Sequence, residues 1–155
     1  MESRFAPDPV QEIYKEFDEI FKQSDFVKND GGRAASGRKG SAGDCVCRAI
    51  AIATGKPYDE VYRDLAQANK AAGGKASARN GLKRKVYEKY LNDLGWTWHA
   101  APKFEGRKAR HSDMPNGIVI VRMARHVACV IDGVVHDTWD SRQKMVYGYW
   151  ARAQS

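Results

Sequence analysis

His126-Val127-Ala128-Cys129-Val130-Ile131-Asp132-Gly133-Val134-Val135-His136-Asp137 is the segment whose reading decides the fold. Two runs rich in valine and isoleucine flank Asp132-Gly133, a pair suited to a tight hairpin turn in which both central residues take positive φ. That turn sets Ile131 opposite Val134, Val130 opposite Val135, Cys129 opposite His136 and Ala128 opposite Asp137. Side chains alternate across a strand, so His126, Ala128 and Val130 share a face with Val135, Asp137 and Trp139. Asp137 becomes the diagonal neighbour of His126, at a backbone separation of roughly 7–8 Å that long side chains cross. A turn one residue longer would place Asp140 against His126 instead. The register favours Asp137 and leaves Asp140 as the alternative orienting acid.

Similar strand-like runs lie on both sides of this hairpin, at residues 96–98, 117–123 and 145–150. Upstream the pattern is helical. Val10, Ile13, Tyr14, Phe17, Ile20 and Phe21 recur at steps of three and four, which predicts a packing helix over 10–21 after a loose arm at 1–9. Residues 24–43 are rich in glycine and read as a loop. Residues 56–69 predict a helix, and Asn80 reads as the cap of another over 81–94, stopped by Gly95. Helices first and an antiparallel sheet second make an α+β fold. At 155 residues the chain is expected to form one domain.

Between the loop and the second helix lies Asp44-Cys45-Val46-Cys47-Arg48-Ala49-Ile50-Ala51-Ile52-Ala53-Thr54-Gly55. Asp44 is a good N-cap residue, Val46, Ala49, Ile50 and Ala53 form an apolar face, and Gly55 suits the left-handed stop. Cys45 then takes the first helical position, where the helix dipole favours a thiolate, the nucleophilic form. Thiol chemistry also needs a base and a group to orient it. His126 can carry the proton, and Asp137 can hold the imidazole. The free N–H groups of the helix start offer an oxyanion donor, with Asn29 or Ser41 as candidate second donors.

Composition narrows the classes. No apolar run approaches the roughly 20 residues of a membrane span, and no leader pattern is read at the start. Cys45, Cys47 and Cys129 are odd in number, so a disulfide framework is not expected and a cytoplasmic setting fits. Cys45 and Cys47 lack the usual spacing of a zinc pair, and no cofactor or metal is expected. Lys plus Arg number 26 against 19 Asp plus Glu, a net charge of +7.

The order of cysteine at a helix start, histidine at a strand start and an acid on the next strand resembles the papain-like cysteine peptidases. Cys45-Val46-Cys47-Arg48-Ala49 is also similar to the Cys-x-x-Arg-Ala nucleophile motif of the ovarian-tumour deubiquitinases. The chain as a whole, with Val146-Tyr147-Gly148-Tyr149-Trp150, resembles small phage and bacterial proteins of no established activity. The resemblance implies a papain-like fold and a Cys45–His126–Asp137 triad acting on a peptide, protein or small amide. The chain departs from it at Lys39, where papain-like enzymes carry the oxyanion glutamine, and at Ala42, where the deubiquitinases carry aspartate.

Two other functions compete. The same fold family includes acyl and amine transferases. A non-catalytic nucleic-acid-binding module would use Lys83, Arg84, Lys85, Arg107, Lys108 and Arg110, beside Trp96, Trp98 and Phe104. Cys45 as a buried structural thiol is the plain alternative to a nucleophile.

Overall fold

The computed structural model describes residues 9–13, 25–38, 43–80 and 82–153. The order of elements is β1 (Phe26–Lys28), α1 (Cys45–Thr54), α2 (Tyr58–Ala71), α3 (Arg84–Asp93), β2 (Trp96–Ala100), a short 3-10 turn (His111–Asp113), β3 (Ile118–Met123), β4 (His126–Ile131), β5 (Val134–Asp137) and β6 (Val146–Arg152). The strands form one six-stranded sheet in the order β1-β5-β4-β3-β6-β2. The protein is therefore α+β with a mixed sheet. Every neighbouring pair is antiparallel except β1 and β5, which run parallel.

The central hairpin has the expected register. Ile131 pairs with Val134, Val130 with Val135 and Cys129 with His136. Asp132 and Gly133 both have positive φ, at 50° and 79°, the conformation of the favoured two-residue turn. The Asp132 carboxylate accepts the Gly117 N–H at 2.7 Å, which ties this turn to the start of β3.

The sheet is covered on both faces. Val127, Cys129, Ile120 and Trp150 turn toward the helices and pack with Ile50, Val61, Leu65 and Leu91. Ala128, Val130, Val119, Val121 and Val135 turn the other way and pack with Met114 and Val146. Burial on both faces explains why β3 and β4 are apolar along most of their length, the polar residues Arg122 and His126 lying toward the end where the two strands meet. α1 packs chiefly on β4. Its stripe of Val46, Ala49, Ile50 and Ala53 is buried, and it ends at Gly55 in the left-handed conformation.

Four expectations need correction. The stretch 24–43 is not all loop: Phe26–Lys28 adds a parallel edge strand, which a run of three residues is too short to announce. The C-terminal sheet is consequently mixed rather than wholly antiparallel. Asn80 does not cap α3, which begins only at Arg84. Its side-chain carbonyl instead accepts the Gly43 N–H at 2.7 Å, pinning the approach to α1. In the first predicted helix, residues 9–13 are helical, but Val10 and Ile13 are each 55% exposed rather than packed. An apolar stripe identifies a face and not the surface that covers it. The rest of that helix, and residues 1–8 of the expected arm, lie outside the described residues.

Candidate active site

The site forms where the start of α1 meets the rim of the sheet. Cys45 is the first residue of α1, His126 the first of β4 and Asp137 the last of β5. His126 Nε2 lies 2.6 Å from Asp137 Oδ2, inside hydrogen-bonding distance. Asp137 is only 3% exposed, so the carboxylate meets this imidazole in a dry setting. With Nε2 engaged, Nδ1 is the ring nitrogen left for Cys45, which lines the same cleft as His126.

Each titration follows from these contacts. Burial by itself raises the Cys45 thiol. The hydrogen bond and charge of His126, the Val127 backbone amide and the Arg48 charge outweigh burial, and the thiol lies below its ordinary value. Burial by itself lowers His126. Its bonds to Asp137 and Cys45 prevail and push it up to about 9. For Cys47, burial outweighs the bond to Tyr58 and the charges of Arg38 and Arg48; Cys129 has only the charge of Asp137 nearby, which works the same way as burial, and both thiols are pushed up to about 12. The three cysteines are free, and Cys45 is the one that is not fully buried.

Trp139 closes one side of the pair. Its ring meets His126 edge-on, with centroids 5.0 Å apart and an interplanar angle of 77°. The indole is half exposed and shields the imidazole from bulk water.

Asp44 behaves unlike the cap that its position predicts. No helix N–H bonds its side chain. The carboxylate is 1% exposed and accepts hydrogen bonds from Arg48 and the Tyr58 hydroxyl, with Arg33 Nε at 3.2 Å. Burial and the bond to Asp44 raise the Tyr58 phenol, which keeps it a donor. Arg48, one turn into α1, extends its other terminus to Asp137 Oδ1 at 3.4 Å. The reading of helix caps missed this buried network. The only sequence signal was the Asp44/Arg48 spacing of four residues.

The remaining candidates separate. Asp140 does not touch His126; its carboxylate binds Arg142 at 2.8 and 2.9 Å. The two-residue turn is what carries Asp140 away. Asn29 turns its side chain to its own loop, accepting the Gly31 N–H at 2.8 Å, so it is not aimed at an oxyanion. Ser41, with Lys39 and Ala42, lies outside the described residues. Of the basic set, Arg107 is held by Asp113 at 2.8 and 2.9 Å, and Arg110 donates to the Gln143 carbonyl at 2.6 Å. Lys83, Lys85 and Lys108 are exposed. Arg84 alone of the set lines the cleft at Cys45. Trp96 and Trp98, expected as stacking platforms, belong to the helix-side core, with Trp98 4.6 Å from Trp150.

The cleft measures about 1140 Å³ and has Cys45, His126 and Trp139 in its lining. Among the described residues no cluster of three or more His, Cys, Asp or Glu could hold a metal ion, and no helix is long and apolar enough to cross a membrane. Comparison with protein-family models, with curated proteins and with solved structures gives no match.

Proposed function

We propose that this protein is a papain-like thiol hydrolase that cleaves an amide or related acyl bond. The observation that carries the reading is Cys45 and His126 on one cleft with Asp137 bonded to His126 at 2.6 Å, an arrangement that lowers the thiol and raises the imidazole together. A thiolate–imidazolium pair is the resting form such chemistry needs.

In the proposed reaction the Cys45 sulfur attacks the substrate carbonyl carbon, forming a C–S bond and a tetrahedral oxyanion. The Cys45 amide is the natural donor to that oxygen, because the first N–H groups of a helix have no intrahelical acceptor. The His126 imidazolium gives its proton to the leaving nitrogen as the C–N bond breaks. Neutral His126 then takes a proton from water, whose oxygen attacks the acyl-enzyme. The C–S bond breaks, the carboxylic acid leaves, and the thiolate–imidazolium pair is restored. Asp137 holds the ring for both transfers and stabilises its charged form. An amine in place of water would make the same site a transferase.

The test is alkylation of the native protein with limiting iodoacetamide from about pH 5 to 9, bracketing the ordinary thiol value of ~8.5. Peptide mass spectrometry locates the label, with His126→Ala run beside the wild type. Labelling of Cys45 well below that value, and its loss in the variant, is the expected result. An inert Cys45, or one indifferent to His126, would overturn the reading.

A further inference from the structure

The walls of the cleft are strongly cationic, and the cations are unevenly neutralised. Arg33 and Arg48 share the buried carboxylates Asp44 and Asp137. Arg38 lies against Asp59 at 3.3 Å and over the Tyr62 ring. All three are neutralised, Arg33 and Arg48 within the fold and Arg38 nearer the surface. A second group lines the same cleft around the turn from β3 to β4. Arg122 is on β3, and Arg125 occupies the turn itself with a positive φ of 55°. Lys144 donates to the Ala124 carbonyl at 2.7 Å and lies 5.2 Å over Trp139, the residue whose edge meets His126.

Among the described residues, none of Arg122, Arg125 and Lys144 makes an ion pair with a carboxylate. Arg122 lies over the Tyr147 ring, an uncharged partner, at 5.4 Å. Arg84, on α3, also lines the cleft but is neutralised by Glu88 at 3.2 Å. Among the described residues that line the cleft, the one carboxylate outside the Arg33–Arg48 network is Asp30. It is turned to its own loop, accepting the N–H groups of Gly32 and Ala34. The partners of Arg122 and Lys144 are rings and a carbonyl, so the charges of the three cations are not cancelled in the cleft that holds the nucleophile. Placed in a concave site, they concentrate negative charge at the sulfur.

Resting on the thiol-hydrolase reading, we infer that the substrate is anionic, an acidic peptide whose carboxylates flank the scissile amide and lie against Arg122, Arg125 and Lys144. A cleft of about 1140 Å³ has room for several residues of extended chain. A nucleic acid would meet the same charges but offers no acyl carbon to the thiolate, so the acidic peptide is the better fit.

The test compares two reagents that deliver the same carbon to sulfur, iodoacetate and iodoacetamide, each normalised to its rate with glutathione. Iodoacetate is expected to gain about fivefold or more over iodoacetamide at Cys45, an advantage that salt erodes. Arg125→Gln combined with Arg122→Gln should remove most of that gain, while Lys70→Gln, an exposed lysine outside the cleft, should leave it unchanged. Hexaglutamate should protect Cys45 from iodoacetamide, and hexalysine should not. Fast labelling by both reagents with no preference would overturn the anionic substrate and leave the thiol chemistry standing. Slow labelling by both would overturn the thiol chemistry itself. Protection by a short single-stranded oligonucleotide but not by hexaglutamate would replace the acidic peptide with a nucleic acid.

Discussion

Arg48 Nη2 lies 3.4 Å from Asp137 Oδ1, so the acid that holds His126 is itself held by the helix that carries Cys45. The same guanidinium binds Asp44, at the entrance to that helix. Nucleophile and base are thus positioned by one buried cation between two buried carboxylates.

Removing that cation leaves charge without compensation, which is costlier than never having buried it. Arg48→Ala should destabilise the protein by about 3 kcal/mol, the low end of the range because Arg33 and Tyr58 still serve Asp44. Urea unfolding reads the loss. The Cys45 thiolate, followed by its ultraviolet absorbance, should form at higher pH in the variant. Arg48→Lys should recover only part of both effects, since an ammonium does not span two carboxylates as a guanidinium fork does.

Asp137 and Asp140 should differ sharply when each loses its charge. In Asp137→Asn, the His126 titration followed by NMR should fall from about 9 toward 6.5, by at least about one pH unit. The Cys45 thiol should rise with it. Asp140→Asn should move neither, because that carboxylate binds Arg142. Equal effects of the two variants would show that Asp137 is not the residue acting on His126.

The pair should give a bell-shaped pH dependence for amide cleavage. Activity rises through the lowered Cys45 value and falls as His126 loses its proton near 9; these limits belong to the coupled pair. Stability follows with opposite signs. The His126 value is raised on folding, so its contribution is complete below about 6.5 and lost as pH climbs through about 9. The Cys45 value is lowered, so its contribution is complete above the ordinary thiol value and lost as pH falls through the folded one. Unfolding of wild type, Cys45→Ala and His126→Gln across this range should separate the two trends.

Gly148 tests the packing behind the site. A Cβ there would sit 2.3 Å from two atoms of the Trp98 ring and 2.6 Å from the His99 carbonyl oxygen. The indole could rotate, but the carbonyl belongs to the paired strand β2. Gly148→Ala should therefore cost about 2 kcal/mol in urea unfolding and should lower Tm. An unchanged midpoint would mean that β2 and β6 separate more easily than their register implies.

Much of this arrangement was legible from residues alone. Asp132-Gly133 admits one favoured turn, the turn sets the register, and alternation then brings Asp137 to His126. Gly55 and the apolar stripe after Cys45 put the sulfur at a helix start. Local rules suffice there because each depends on residues a few positions apart.

Asp44 shows where local rules stop. Its position predicts a helix cap, but Arg48, Tyr58 and Arg33 compete for its carboxylate and prevail because they bury and neutralise a charge that a backbone N–H would only solvate. The parallel pairing of β1 and the bond from Asn80 to Gly43 depend on segments brought together from afar. Arg48 and Asp137 lie 89 residues apart, and no periodicity connects them. The sequence by itself determined the hairpin and the helix start. Tertiary structure decided how Asp137 is held, which cations remain beside Cys45 and which are neutralised, because the energy of a charge depends on what is packed around it.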